Sequence, residues 1–185
     1  MHTLLTTLSR RMAILGGLIL SALILLTVIS VTGRLLNGAL HGDLWQGLAP
    51  GLADWVLGWG VGPVNGDVEL TEAGIAFAIF CFLPLTHITG AHATVDIFFS
   101  KFPPRLARLL SLITAILFAL TMTLVAWQLL AGTLSKARSG QTSFLIEFPI
   151  WWAYAACLPG AALAALTAIS FVFLQIRSSD AKATS

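Results

Sequence analysis

The chain has 185 residues, of which 57% are hydrophobic and only 10% are charged, and its formal net charge is +2. Soluble domains carry about 25% charged residues, so this composition excludes a chain whose whole surface faces water. The Lys and Arg residues are scattered and form no basic cluster, which argues against nucleic acid as a partner. We therefore expect an integral membrane protein surrounded mainly by the lipid bilayer.

Four stretches almost without charged side chains are long enough to cross a bilayer, since about 20 apolar residues span the roughly 30 Å of hydrocarbon as a helix. Helix is the expected form because lipid offers no hydrogen-bond partner to an open backbone. The predicted spans are about 12–33, 73–91, 107–135 and 149–176. We predict an all-α integral membrane protein with four transmembrane helices, which form a single membrane domain over residues 1–185.

The connection between the first two spans contains a second apolar pattern. Apolar side chains recur there at spacings of three or four residues, at Leu44, Leu48, Leu52, Trp55 and Trp59. That spacing is one face of a helix, so we predict an amphipathic interfacial helix at about 43–60. Pro50 and Gly51 are expected to break or bend it. The alternative is an irregular loop with a few buried anchors.

Prolines mark the starts of the third and fourth spans. Pro103 and Pro104 suit the first turn of the third helix, where a missing N–H costs little. Pro149 suits the start of the fourth helix for the same reason. The polar residues 178–185 beyond that helix predict a disordered tail.

The basic residues are unevenly divided between the two sides of the membrane. Most of the 10 Lys and Arg residues fall on one side, at Arg10, Arg11, Lys101, Arg105, Arg108, Arg177 and Lys182. The positive-inside rule therefore places both termini in the cytoplasm of a bacterium, with the chain crossing the inner membrane. Tryptophans mark the opposite interface, where we expect four of them to act as anchors, namely Trp45, Trp55, Trp59 and Trp151.

Ionisable side chains inside a membrane usually mark function, and the predicted spans contain almost none. His87, in the second span, is the exception. It is a candidate for haem ligation or proton relay, but the alternative is a polar helix end that bonds to a neighbouring helix or to water. The sequence contains no nucleophile elbow, zinc motif or phosphate loop. We accordingly expect no enzymatic activity, no catalytic residue, no bound metal and no cofactor.

Three stretches resemble the small permease subunits of TRAP transporters, the DctQ type. The link after the second span contains Gly90-Ala91-His92-Ala93-Thr94-Val95-Asp96, similar to the family's G-x-H-x-x-V-D. Phe102-Pro103-Pro104-Arg105 resembles its Leu-Pro-Pro-Arg, and the stretch from Phe148 to Tyr154 resembles its IPxWxxY entry into the fourth helix. One departure is at Ile88 and Thr89, where many members carry a basic residue just before the Gly-x-His.

The resemblance implies a function for the chain as part of a complex. It would brace a large membrane permease subunit that holds the substrate and sodium sites of a secondary transporter. A periplasmic solute-binding protein would deliver an organic acid or similar solute. The implied family-motif or partner-contact residues are Gly90, His92, Asp96, Pro103, Pro104, Arg105, Pro149 and Trp152. The alternative function is a membrane-anchor subunit of a redox enzyme that binds haem or quinone.

Overall fold

The computed structural model of the protein describes residues 2–42, 45, 47, 50–89 and 103–183. In these residues it contains five helices, α1 (His2–Leu40), α2 (Pro50–Gly58), α3 (Asp67–Ile88), α4 (Pro104–Ser139) and α5 (Ile150–Ala183). All of them except α2 are long and apolar enough to cross a membrane. The predicted all-α fold with four spans is confirmed.

Some of the long helices extend well beyond the apolar stretches that predicted them. α1 begins at His2 and continues to Leu40, and α4 ends only where Gly140 adopts a left-handed φ of 61°. α5 continues to Ala183, so residues 178–183 are helical where we expected a disordered tail. The physical reason is that adding a residue to an existing helix costs little, and this polar segment contains no Gly or Pro to end it.

The predicted amphipathic segment at 43–60 is only partly represented by α2. Trp45 and Gly47 before it are also helical, and this separate helix begins at Pro50, so a helix boundary falls at the proline as the sequence predicts. Proline favours the first helical position because its fixed φ suits the helix and its missing N–H would have no partner there. The first half of the predicted apolar stripe, with Leu44 and Leu48, lies outside the described residues.

The four long helices pack in a row, in the order α1, α3, α5, α4. Extensive packing between the described helices is confined to these three neighbouring pairs, while α1 and α5 touch only slightly. Helix α5, which has a neighbour on each side, is therefore the most covered. In its most apolar 18-residue segment 44% of the residues are buried inside the chain, against 6% in the corresponding segment of α1. Most of the apolar surface of α1 is left for lipid or for another subunit.

The long helices alternate in direction along the chain, so α3 and α5, which are neighbours in the row, run in the same direction. Ser30, near the end of α1, bonds to Asp67 at the start of α3, and Gln175, near the end of α5, bonds to Ser111 near the start of α4. The start of α1 and the end of α5 therefore lie at the same end of the molecule, which we call the terminal end. The opposite end carries the connections 41–66 and 140–149, and we call it the two-loop end.

A small residue lets α1 approach α3 closely. A Cβ atom added to Gly16 would lie 2.8 Å from the Cβ of Cys81 and 3.3 Å from the carbonyl oxygen of Ala78. Cys81 itself is fully buried. Helices in membranes commonly use glycine and alanine in this way, because close backbone approach replaces the hydrophobic driving force that lipid does not provide.

Candidate functional site

The polar contacts that join the helices are concentrated at the two-loop end, beginning with Asp67. The Ser30 hydroxyl of α1 donates to Asp67 Oδ2 at 2.5 Å, and Arg34 Nη2 lies 3.4 Å from the same oxygen. The Val64 amide donates in turn to Ser30 Oγ at 3.2 Å. Asp67 precedes the uncharged stretch of α3, which begins at Ala73. This carboxylate therefore ties the start of α3, and the loop before it, to the end of α1.

The same contacts keep Asp67 ionised. The hydrogen bond from Ser30 lowers the pKa of this carboxyl from its usual value, and the Val68 amide and the Arg34 guanidinium lower it further. The pKa falls because all three partners stabilise the charged form. A negative charge in the first turn of α3 is also favoured by the helix dipole.

A close backbone contact fixes the loop between α2 and α3 against α1. A Cβ atom on Gly33 would lie only 2.2 Å from the carbonyl oxygen of Gly62, so no larger side chain fits at this position without a shift of the backbone. One turn further on, Asn37 Nδ2 donates to the Val61 carbonyl at 2.8 Å. The two-loop end of α1 is thus covered by this loop over several residues.

Glu69 forms the second set of contacts at this end. Its carboxylate accepts hydrogen bonds from the Ser143 hydroxyl at 2.7 Å, the Leu145 amide at 2.8 Å and the Ile146 amide at 3.1 Å. The Ser143 hydroxyl lowers the pKa of Glu69 most, and the amides of Leu145 and Ile146 lower it further. One charged side chain of α3 therefore holds the loop between α4 and α5.

That loop is ordered by its own backbone as well. Thr142 and Pro149 form an antiparallel bridge, the Ser143 amide donates to the Phe148 carbonyl at 2.9 Å, and Glu147 adopts a positive φ of 55°. The turn exposes 92% of the Phe144 side chain. The result is a tight loop that leaves an apolar ring largely uncovered.

Trp55 of α2 and Trp59, directly after this helix, also face away from the other helices. Ala53 is fully buried, whereas Trp55 and Trp59 are 61% and 74% exposed and their ring centroids lie 4.9 Å apart. The predicted stripe is therefore the uncovered side of α2, free to meet lipid or another subunit. Trp45 and Trp151 are less exposed, and the expectation that all four act as interfacial anchors remains a prediction.

His87 is packed between aromatic rings near the terminal end. Its ring stacks on Phe118 of α4, with centroids 4.6 Å apart and planes 3° apart, and meets Phe171 of α5 edge to face at 5.3 Å. A cavity of about 130 Å³ lies beside it, lined also by Thr167 and Ser170. His87 thus links α3 to α4 and α5 through ring contacts, and its assignment as a haem ligand, a proton relay or a polar helix end stays a prediction.

A family model described as "Tripartite ATP-independent periplasmic transporters, DctQ component" matches residues 59–178. The chain belongs to the DctQ family. The match covers more than half of the chain and confirms the resemblance found in the sequence. No significant match is found among curated proteins or among solved structures.

Membership in the DctQ family carries three consequences. The protein is a multi-pass membrane component of a TRAP transporter, and the family is not enzymatic. A DctQ component implies a tripartite complex with DctM and DctP components. The redox-anchor alternative loses its support, because the family assignment accounts for the four spans without haem or quinone.

The DctQ motif residues fall at the two ends of the molecule. Pro103 precedes α4 and Pro104 begins it, as the sequence predicts, and Arg105 lies in its first turn at the terminal end. Pro149 and Trp152 lie at the two-loop end, where the Trp152 amide donates to the Pro149 carbonyl at 3.0 Å. The remaining candidates, Gly90, His92 and Asp96, lie outside the described residues. Their contact with a partner remains a prediction.

Sequence reasoning missed the residues that organise the two-loop end of this DctQ subunit. They are Ser30, Asp67, Glu69 and Ser143. Asp67 and Glu69 have a detectable signal, because acidic residues directly before an uncharged span are typical of a helix start. Ser143 is the serine that precedes the IPxWxxY-like stretch, although that pattern does not indicate its bond to Glu69. Ser30 has no signal, since a serine near a span boundary is equally consistent with exposure to water.

Proposed function

We propose that this DctQ subunit braces the large membrane permease subunit, the DctM component, of a sodium-driven secondary transporter. A periplasmic solute-binding protein, the DctP component, delivers an organic acid or a similar solute to that subunit. The observation that carries the proposal is the row of helices. Four long helices packed side by side leave wide apolar faces uncovered, and such a surface suits permanent packing against another membrane subunit.

The distribution of charge supports an accessory function. No Asp, Glu, Lys or Arg residue occurs at 12–33, 73–88, 109–135 or 150–176, so no such charge lies deep in the apolar stretches of α1, α3, α4 or α5. Transport of an anionic solute with sodium requires polar or charged groups within the membrane. The solute and sodium sites are therefore assigned to the large subunit, and this subunit holds the scaffold against which that one moves.

Reconstitution in liposomes tests this division of roles. The DctQ subunit alone, even with a sodium gradient and the binding protein, should give no solute uptake above protein-free liposomes. The complete set of three components should transport, and omission of the DctQ subunit should abolish or strongly reduce uptake. Sodium-dependent uptake by the DctQ subunit alone, at a rate close to that of the complete system, would disprove the accessory function.

A further inference from the structure

A slot of about 510 Å³ lies at the two-loop end and is lined by α3, α4, α5 and the loop between α4 and α5. One face of α3 supplies much of its lining, through Glu69, Glu72, Ala73, Ala76 and Phe80. From Glu72 to Phe80 the helix rises about 12 Å, so the slot follows the helix for about two turns into the apolar part of the molecule. Its volume is typical of ligand pockets, which range over about 300–1,000 Å³.

The charged side chains of the lining are confined to one end. Glu69 and Glu72 lie at the two-loop end of the slot with Thr142 and Ser143, beside the apolar Phe144, Phe148 and Ile150. The deeper lining, Ala76, Phe80, Leu129 and Cys157, carries no charge. A phospholipid of the adjoining leaflet has the same order, with a charged headgroup at the surface and acyl chains beneath it. The slot therefore has the same order of polarity as a lipid, and its volume holds part of one lipid molecule.

The two carboxylates differ in what they can offer to a ligand. Glu69 is occupied by the Ser143 hydroxyl and by the amides of Leu145 and Ile146. Glu72, one turn further along α3, is exposed and has no hydrogen bond or ion pair with any described residue. Its carboxyl oxygens are therefore free to accept a hydrogen bond at the mouth of the slot, which favours a cationic donor and disfavours an anionic headgroup.

We propose that the slot binds a phospholipid with a primary ammonium headgroup, of the phosphatidylethanolamine class. The ammonium donates to Glu72, and an acyl chain lies along Ala73, Ala76 and Phe80. Tyr154, which also lines the slot, supplies a hydroxyl donor for an ester carbonyl. The site is independent of the bracing function, since it is formed within this one subunit.

The test is lipid binding by the purified complex of the DctQ and DctM components in a mild detergent, followed by native mass spectrometry. Phosphatidylethanolamine, phosphatidylcholine and phosphatidylglycerol are titrated separately. We expect retention of phosphatidylethanolamine above the other two. Glu72→Gln should weaken its binding about tenfold, because a hydrogen bond to a charged group is worth at least that factor.

Two tryptophan variants separate the slot from the general lipid surface. Ala76→Trp places a large ring inside the slot and should abolish the preference for phosphatidylethanolamine. Ile79→Trp is the matched control on the same helix at similar depth, because Ile79 is 54% exposed and does not line the slot. Equal retention of the three lipids in the complex, or a preference unchanged in both Glu72→Gln and Ala76→Trp, would overturn the proposal. Binding by the isolated subunit but not by the complex would also overturn it and indicate that a side chain of the large subunit fills the slot.

Discussion

Glu69 is the residue whose replacement should have the clearest local effect. In Glu69→Gln the amide group keeps one acceptor oxygen, but its NH2 group faces backbone N–H groups that need acceptors. We expect the loop at 140–149 to loosen, which hydrogen exchange would detect as faster exchange at the Leu145 and Ile146 amides. Glu72→Gln is the control, since Glu72 forms no hydrogen bond with the described residues. Equal exchange in the two variants would show that Glu69 does not order the loop.

The lowered pKa values of Asp67 and Glu69 give a pH dependence with a definite sign. When the folded protein has the lower pKa, the stabilisation is fully present above the usual pKa and is lost as pH falls through the folded value. The usual values are 3.8 for Asp67 and 4.5 for Glu69. We therefore expect the contacts of the two-loop end to persist from neutral pH to about 4.5 and to loosen below that range.

Hydrogen exchange at the Leu145 and Ile146 amides, measured as a function of pH and corrected for the intrinsic exchange rate, checks this expectation. Protection should fall only on the acidic side in the unmodified protein. In Glu69→Gln the protection of these amides should be low at every pH and should show no further fall at acidic pH. If the protection in this variant fell at acidic pH as much as in the unmodified protein, the pH dependence would belong to groups other than Glu69.

At the scale of helices, two adjacent glycines of α1 provide a test of the α1–α3 interface. A Cβ atom on Gly16 would meet the Cβ of Cys81 at 2.8 Å, whereas a Cβ atom on Gly17 would meet nothing within 4 Å. Overpacking of this kind typically costs about 1–3 kcal/mol. Gly17→Ala should instead be neutral or stabilise the helix by up to about 1 kcal/mol, because alanine favours helix over glycine.

Thermal unfolding of the two variants in the same detergent measures the difference. We expect a lower melting temperature for Gly16→Ala and an unchanged or higher one for Gly17→Ala. The same melting temperature for both would mean that α1 and α3 do not approach each other as closely as the structure shows.

The exposed side of α2 allows a second test at this scale. We expect Trp55→Leu and Trp59→Leu, each made singly, to leave the DctQ–DctM complex intact, because leucine keeps an apolar contact with lipid and loses only the interfacial preference of the indole. A tryptophan that anchors a protein interface would instead cost about 2 kcal/mol or more on truncation. Co-purification in mild detergent distinguishes the two. Release of the subunit by either change would place α2 in the subunit interface.

For the whole molecule, the charge distribution predicts orientation. The terminal end carries Arg10, Arg11, Arg105, Arg108, Arg177 and Lys182. By the positive-inside rule we expect this end to face the cytoplasm. A reporter that is active in the cytoplasm should work after Ser185, and one that is active in the periplasm should work when inserted near Gly62. A periplasmic signal from the fusion after Ser185 would contradict this orientation.

The sequence predicts the four spans of this protein well, because a continuous apolar stretch has only one stable form in lipid. It does not predict the order of the row, since a leucine facing lipid and a leucine facing a helix look the same in the sequence. The bond between Glu69 and Ser143 joins residues 74 positions apart, so no local pattern indicates it. Pro50 is a case where a local signal suffices, because a proline favours a helix boundary and α2 begins there.

The row of helices also constrains the order in which the protein can be assembled. α4 is synthesised before α5, yet α5 lies between α3 and α4. When α4 enters the membrane, the neighbour on which it packs therefore does not yet exist, whereas α1 and α3 can pair as soon as α3 is made. The last helix completes two interfaces in one step. A ribosome stalled before α5 would leave a membrane with one finished pair of helices and a third helix without its partner in the chain.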